Sequence, residues 1–507
     1  VASPARKVIP FPAAAERQWK SASLTGLTFD WGTTTRPIDA DIRTALTAIR
    51  ARARHLAQNS DHAKGFLRIV RNNVVGAEGY VLQSRAQTPR GKPDSRLREQ
   101  VEAEWRAWCR RGVCEVSGRF SWRELQRHVI ETVARDGEAF LRLVDVDNPW
   151  RLALQVIDPE TIDTQYTGEY QGRAVRMGVE MDDYRRPIAY HLYGEPPVNQ
   201  SSYRTGTDRY RLPASELLHI YLPEFAWQTR GVSWLAVAAW RLNMLTATED
   251  AEVTAARASA SKFAAYEAQE WAAPPQPAAP GLVDANGQPL TTDPGSFAQD
   301  IKEGSMEVVP YGYKLNLLDP QHPNGEMPAF LKWGLRSIAT GTGVSYNTLG
   351  NDAEGVNYTS LRFFLGVERD LWRERQDWFE GELPQPVFDA WRANAVMLGR
   401  LTPRPNHPDE LARVHWQPRR WEGPDPAKQA QADQQDLANG TTTLTEILAR
   451  KGRDFDDHLA EKINELARIK QAAESAGLTL GELLPYLAAS AAPTARAEDD
   501  PDAYPDD

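Results

Sequence analysis

The residue types able to do chemistry in this chain gather between Met327 and Gly381. Within the run from Val344 to Tyr358, Asn347, Asn351 and Asn357 supply amides, Tyr358 a phenol, and Asp352 and Glu354 carboxylates, with Gly350 and Gly355 between them. Glycine, asparagine and aspartate are the residues of turns and mobile loops. The chemistry on offer is hydrogen bonding to whatever the loop is held against. Arg362, Arg369 and Arg373 then line one face of the next segment.

Two helices are needed to position that run. Leu331, Leu335 and Ile338 recur at i, i+4 and i+7, which is one apolar stripe. The pattern stops at Gly341-Thr-Gly343, because glycine costs a helix interior about 1 kcal/mol and caps its end cheaply. On the second helix Leu361, Phe364, Leu365, Leu371, Trp372, Trp378 and Phe379 share a face distinct from that of the arginines. A helix pair holding out a glycine-flanked polar loop presents that loop to something. An ordinary surface helix–loop–helix has the same pattern, and spacing alone does not separate the two.

Catalysis finds no support. The chain has no G-x-x-x-x-G-K-S/T phosphate loop, no G-x-S-x-G elbow and no H-E-x-x-H. Gly341-Thr-Gly343 lacks a third glycine and follows a helix, the wrong setting for a dinucleotide. The 9 histidines are scattered, and His219, inside the apolar run Leu217-Leu-His-Ile220, is expected to be a satisfied core residue. Cys109 and Cys114 are the only cysteines, and their C-x4-C spacing has no second pair. That excludes a disulfide scaffold and disfavours zinc. No enzyme, cofactor or metal is expected.

At 507 residues, length alone would suggest about three domains. Hydrophobic content of 41% and charged content of 25% are those of a globular protein. The longest apolar run, Val232 to Trp240, is too short to span a bilayer, and no secretory signal opens the chain. A net charge of −10, with an acidic end from Glu498 to Asp507, argues against tight wrapping of DNA. Such binding needs lysine and arginine in excess. It leaves open a protein past which DNA slides.

Taken in order, residues 1–37 read as an arm and Ile38 to Val70 as one long helix, with Arg50, Arg52 and Arg54 as a solvated basic face. Gly79 to Gln83 reads as a strand. Leu97 to Cys109 and Ser121 to Ala134 read as helices, the second opened by the capping box Ser121/Glu124. Strands are expected at Phe140 to Val144, Leu152 to Ile157, Ala174 to Glu180, Ile188 to Tyr193 and Leu217 to Tyr221. A long helix follows from about Trp234 to Ala260, then a Pro-rich segment at 272–280, a hairpin signal at Asn286-Gly287 and a strand from Met306 to Leu317. Beyond the central pair come a helix from Pro384 to Leu401, a strand from Ala412 to Trp416, and a helical end. That end holds a second capping box, Thr443/Glu446, a stripe of Leu459, Ile463 and Leu466, and a short helix from Leu480 to Leu487. Residues 491–507 read as disordered by composition. The fold class is α+β, predominantly helical.

The order of these parts resembles the portal proteins of tailed bacteriophages, in their lambda-like branch. The residues that carry the likeness are Gly65-Phe-Leu-Arg-Ile-Val-Arg-Asn-Asn-Val-Val-Gly76, Asp136-Gly-Glu-Ala-Phe140, Gly178-Val-Glu180 with Arg186-Pro-Ile-Ala-Tyr-His191, and Leu218-His-Ile220 with Gln228-Thr-Arg-Gly231. Gly341-Thr-Gly-Val-Ser-Tyr346, leading to Asn357-Tyr-Thr-Ser-Leu-Arg362, and Lys451-Gly-Arg-Asp-Phe455 complete it. The likeness covers about residues 38–470, and its specificity lies in order and spacing.

The resemblance implies a ring, usually of twelve subunits, at one capsid vertex, through which double-stranded DNA is packaged and ejected without sequence preference. Its implied partners are the terminase, then a head–tail adaptor, and the major capsid and scaffolding proteins, with no membrane; the site of action is the virion, after assembly in the host cytoplasm. Laid on this chain, the wing is 38–230, a first stem helix 231–261, the clip 262–320 and a second stem helix 321–342. The tunnel loop is 343–357, a channel helix with the wing return 358–425, and a helical crown 426–490. Asn347, Asn351, Asn357 and Tyr358 would then donate to phosphate while Asp352 and Glu354 keep the grip weak, with Arg362, Arg369 and Arg373 on the channel helix. The other readings are a different head–tail connector ring, for which the chain is long, and a subunit of the packaging enzyme, which would need the missing ATP loop. The Pro-rich segment 272–280 departs from the family pattern and leaves the clip boundaries least secure.

Overall fold

Asp39 and Asp41 favour a helix start at Ile38, because carboxylates in a first turn complement the partial positive charge there. The helix does not run on to Val70. Ser60 takes an extended backbone and its Oγ accepts from Ala63 N, so one helix ends at Asn59 and another begins at Asp61. A serine at that position offers the backbone a cap in place of a continued turn.

The computed structural model describes residues 32–89, 94–193, 209–260, 263–268, 313–318, 325–352, 354, 357–404, 407–421, 426–451, 453 and 455–476. The arm up to residue 31, the Pro-rich segment, the Asn286-Gly287 turn, the 480–487 helix and the acidic end lie outside them. Among the described residues the elements run α1 (Ile38–Asn59), α2 (Asp61–Val74), β1 (Val81–Ser84), α3 (Ser95–Trp108), α4 (Trp122–Asp136), β2 (Glu138–Val144) and β3 (Ala153–Ile157). Next come β4 (Gly168–Tyr170), β5 (Arg173–Arg176), β6 (Val179–Met181), β7 (Pro187–Tyr193), β8 (Arg209–Pro213), β9 (Leu217–Tyr221), α5 (Ala239–Ala260), β10 (Phe263–Ala268) and β11 (Tyr313–Leu318). The chain continues through α6 (Met327–Thr342), α7 (Tyr346–Gly350), α8 (Tyr358–Glu382), α9 (Pro384–Met397), β12 (Val414–Gln417), α10 (Pro426–Asn439), α11 (Leu444–Arg450) and α12 (Phe455–Ala476). The fold is α+β and predominantly helical.

Contacts group the chain into two units, one from Val1–His55, Thr132–Arg142 and Val156–Ala236, the other from Leu56–Glu131, Leu143–Gln155 and Val237–Asp507. The first unit contains the antiparallel meander β4-β5-β6-β7-β8. The run Ala174 to Glu180 is two strands, not one, because Met177 and Gly178 have φ of 47° and 82° and turn the chain between them. The short β4 and the Arg/Tyr-rich β8 were not foreseen. Phe140, Val179, Tyr190, Leu192 and Leu212 fill the core beneath the meander.

Arg50 and Arg54 belong to this unit and are not a solvated face. Arg50, 1% exposed, donates from Nη2 to Glu138 Oε1 and from Nη1 to Glu160 Oε1, both at 2.7 Å. Arg54 bonds Asp136 and Asp158 at 2.8 and 2.7 Å, and only Arg52 of the three is exposed. Glu138 also takes Arg230, Gly231 N and His219 Nε2, the last at 2.9 Å. His219 is therefore the satisfied core histidine its surroundings imply. Burial pushes its pKa down, against the pull of Glu138, so it serves as a neutral donor. Gly137 and Gly231 cross so closely that a Cβ on Gly137 would lie 2.5 Å from the Val232 carbonyl carbon, and Gly137 has φ of 93°. Only glycine fits there.

The second unit centres on Trp105. It stacks on Trp108 at 4.9 Å and meets Trp122, Phe388, Trp391 and Trp416 edge-on at 5.2–5.8 Å. Edge-on and offset pairs of this kind contribute roughly 0.5–1.5 kcal/mol each beyond their buried area. The capping box at α4 is present, with Ser121 N donating to Glu124 Oε2 at 2.8 Å. That at α11 is present too, with Thr443 N donating to Glu446 Oε2 at 3.2 Å. β1 pairs with β12, and β10 with β11, both antiparallel. The stripe Leu459, Ile463 and Leu466 on α12 is 43%, 56% and 42% exposed, so it is no part of a core within one chain. The helix expected from Trp234 starts at Ala239; the residues before it form turns, with Trp234 N donating to Ala134 O, Leu235 N to Ser233 Oγ and Ala236 N to Ser233 O.

Candidate nucleic-acid interface

The polar run sits on α6, α7 and α8, all in the second unit. α6 starts at Met327 with Pro328 in its first turn, where the missing N–H costs nothing. Gly341 stays inside the helix. Gly343 ends it in the left-handed region, with φ of 75°. Leu335, Ile338 and Ala339 form the buried stripe. On α8, Trp372 and Phe379 are 3% and 0% exposed, but Phe364 is 51% exposed and does not join their face. The N-terminal half of α8 instead presents Phe363, Phe364 and Val367 to solvent.

The run expected to be a plain loop contains a helical turn, α7. Ser345 caps it, accepting from Thr348 N at 3.2 Å. Glu368 of α8 holds that cap in place: its Oε2 accepts from Ser345 N at 3.1 Å and from Thr348 Oγ1 at 2.9 Å, while Oε1 accepts from Trp372 Nε1 at 3.1 Å. Glu368 is 6% exposed. A second brace comes from α6. Tyr346 Oη donates to Asp352 Oδ2 at 2.7 Å, and Lys332 Nζ lies 3.0 Å from the same oxygen. The Lys332 and Arg336 cations sit 5.5 and 5.4 Å from the centre of the Tyr346 ring. The hydrogen bond from Tyr346, with those from Glu354 N and Lys332, brings the Asp352 carboxyl down to about 2. Burial and the bond to Asp352 push the Tyr346 phenol up to about 12.

The expected site residues fall into three groups. Asp352 is committed to this brace, and Glu354 N donates to Asp352 Oδ1 at 2.8 Å, leaving the exposed Glu354 side chain outward. Asn351 and Asn357 serve the backbone. Asn351 caps α7 with φ of 49°, and Asn357 Oδ1 accepts from Ser360 N at 2.8 Å to open α8. Asn347 is half-buried beside a cleft of about 570 Å³ that Arg336, Tyr346, Asn357 and Phe364 also line. Tyr358 begins α8, and its side chain lies outside the described ones. Arg362 is exposed. Arg373 pairs with Asp370 at 2.6 Å. Arg369 is half-buried, and burial with the nearby Arg373 lowers its pKa. Sequence reasoning missed Glu368, Lys332 and Arg336. The last two stand at i and i+4 on α6, a spacing that places both on one face; Glu368 had no local signal.

The sequence model of the family described as phage portal protein, lambda family, matches residues 25–376. A probable portal protein of Halomonas phage phiHAP-1 is 34% identical over 475 residues, covering 93% of this chain and 89% of its own. The chain belongs to the lambda family of phage portal proteins. Portal protein B of Escherichia phage lambda is 22% identical, covering 86% of each chain. Among solved structures, a chain in the neck of an empty gene transfer agent particle matches with a TM-score of 0.41 and 14% identity, over 79% of this chain and 93% of that one. The family is one of structural portal proteins. Its matched span takes in α6, α7 and most of α8, so the braced hairpin lies in the part of the chain that portal relatives share.

Proposed function

We propose that the chain forms a closed ring, of about twelve copies by analogy with the family, at one vertex of a phage capsid, and that double-stranded DNA passes through its bore in both packaging and ejection. The observation that carries this reading is the family match over the hairpin, together with the way the hairpin is built. A bore that lets DNA slide needs polar groups at fixed positions without deep wells for phosphate. The brace from Glu368 and Asp352 supplies rigidity, and a chain charge of −10 supplies no general grip. In this reading α7 and its flanks are the tunnel loop. Asn347, Glu354 and Arg362 face the duplex, while Asn351, Asp352 and Asn357 shape the loop from within.

The remaining domain assignments follow the same proposal: wing at 38–230 and again after 383, stem in α5 and α6, clip around β10 and β11, crown from α10 onward. Terminase would dock first and a head–tail adaptor later on the clip side, with capsid and scaffolding proteins around the wing, all within the virion vertex. No step requires catalysis by this chain. Electron microscopy of the purified assembled protein is the test. A ring with a bore wide enough for duplex DNA is expected, and a lone globule would end the proposal. Strong base-specific DNA binding by the ring would overturn the sliding mechanism while leaving the ring.

A further inference from the structure

α5 is apolar on more than one side. Within one chain it and the turn leading into it use Ala238, Leu242 and Leu245, which are 2%, 1% and 5% exposed. Three contacts set its height against α6. A Cβ on Gly334 would lie 3.2 Å from Leu245 Cδ1, and one on Gly341 3.5 Å from Val237 Cγ1. Between them Arg241 donates to Ser337 Oγ. The helices run antiparallel, and these contacts say which residues stand level with which.

A second apolar row on α5 is left exposed. Val237, in the turn that leads into the helix, and Trp240 and Met244 on it are 79%, 71% and 49% exposed, and the row continues through the exposed Ala247 and Ala251. The steps alternate three and four, the spacing of a coiled-coil seam. α6 carries a row of the same kind in Phe330, Trp333, Ser337 and Thr340. Phe330 and Trp333 are 48% and 64% exposed. At matching heights the two rows are reciprocal in size. Trp240 is level with Ser337, Val237 with Thr340, Met244 with Trp333, and Ala247 with Phe330. Knobs-into-holes packing asks for large beside small in this way.

We propose that neighbouring copies join through a head-to-tail seam, in which the row from Val237 to Ala247 on α5 of one copy packs against the row from Phe330 to Thr340 on α6 of the next. This rests on the ring reading above. For a ring axis that runs along the helices, rotation leaves heights unchanged, so the register within one copy is then also the register between copies, and the contact repeats until the ring closes. Pairing α5 with α5 would set Trp240 and Met244 against bulky copies of themselves and leave Phe330 and Trp333 uncovered.

Disulfide trapping tests the seam in the full-length protein. Met244→Cys and Trp333→Cys, combined in one chain and oxidised with copper phenanthroline, should give a ladder extending past the dimer on non-reducing gels. Neither single variant should do so, and the wild type, with only Cys109 and Cys114, controls for background. Dimers from Met244→Cys alone would mean that α5 pairs with itself and would overturn the seam. A ring in micrographs without the ladder would overturn the seam and spare the ring, whereas a monomeric wild type would remove both. Trp240→Glu gives a second readout: loss of rings to free subunits by native mass spectrometry, with an unchanged far-UV circular dichroism spectrum because the site is exposed in one copy. Rings that survive Trp240→Glu would count against the seam.

Discussion

Two sets of carboxylates in this chain make similar bonds with different consequences. Glu138, 0% exposed, is enclosed by Arg50, Arg230, His219 and a backbone N–H. Asp352, with a side chain 24% exposed, holds Tyr346 and Lys332 at the edge of the hairpin, and Glu368 holds the cap of α7 beside it. Burial separates the two. A buried ion pair adds little over an apolar substitute but is costly to break, because the remaining charge stays out of water. The half-exposed Asp352 brace can open to solvent, which fills the vacated bonds, and Glu368, though 6% exposed, binds three neutral donors and no cation, so its removal strands no charge. The first set therefore decides whether its unit folds, and the second decides where a loop stands.

The largest effect should come from Glu138→Ala, which strands Arg50 and Arg230 and is expected to cost about 3–5 kcal/mol. Urea unfolding of the purified protein should show a lowered midpoint or no folded protein, and an unchanged midpoint would erase the distinction drawn above. The pH dependence has the same sign. Burial alone would raise the Glu138 pKa, but Arg230, His219 and Arg50 more than reverse it and hold the carboxyl well below the usual range. A group whose folded value is depressed stabilises fully above its unfolded value of about 4.3 and loses that contribution as pH falls further. Acid unfolding of the wild type should set in below that point.

Next in size is Glu368→Ala, which leaves Ser345 N, Thr348 Oγ1 and Trp372 Nε1 without their acceptor. The expected cost is about 1–3 kcal/mol, confined to the loop. Amide exchange at Ser345 to Gly350 should accelerate by roughly tenfold to a hundredfold, at about 1.4 kcal/mol per tenfold, with the urea midpoint almost unmoved. A midpoint drop as large as that of Glu138→Ala would mean that Glu368 supports the fold of its unit and not only the position of the loop.

These two residues also mark how far the sequence could be read. Helices with local signals were legible, as Ser121/Glu124, Thr443/Glu446 and the αL cap at Gly343 show. So was the hairpin as a unit, since the stripe of α6 and the glycine-rich run lie side by side in sequence. What the pattern could not carry was pairing at long range. Arg50 meets Glu138 across 88 positions, so its place in a series of arginines on a helix said only that the face was basic. Glu368 meets Thr348 across 20 residues, and nothing in either neighbourhood announces the other. Ser60 ended a helix through a single cap that the apolar periodicity ran straight across. The inward face of α5 was legible, since Leu235, Ala238, Leu242 and Leu245 keep a helical spacing and are all buried; the exposed row beside it was not, because apolar spacing alone does not say whether a second apolar face is covered.

A smaller effect is expected from pH at the hairpin itself. The Asp352 carboxyl, held at about 2 by Tyr346, Glu354 N and Lys332, loses its contribution only as pH falls through that value. The Tyr346 phenol, raised to about 12 by burial and by Asp352, loses its own only as pH rises through that value. The brace should therefore stay closed across the whole range from about 4 to about 10. Tyr346 absorbance and the Asp352 carboxyl signal in NMR should be flat over that interval. Titration of either inside it would show that the brace is open in solution and that the loop is less fixed than Glu368 and its partners suggest.

The smallest effect on stability should come from Asn351→Gly, and it bears most directly on which residues DNA meets. Asn351 sits at φ of 49°, where its backbone N–H donates to Asn347 O and closes α7. A left-handed residue of this kind is favoured as glycine or asparagine, and the exchange of one for the other is expected to change stability by only a few tenths of a kcal/mol. Asn351→Ala, which must force a Cβ into the same conformation, should cost about 1 kcal/mol. If the side chain only shapes the turn, Asn351→Gly rings should retain duplex DNA as the wild type does, while Asn351→Ala rings should differ through a displaced loop. If the amide itself reaches phosphate, both variants should lose retention alike. The pair therefore separates a residue that builds the loop from one that touches the strand passing it, a distinction that exposure alone cannot draw because Asn351 and Asn357 are both exposed and both already engaged with backbone N–H or C=O groups as caps.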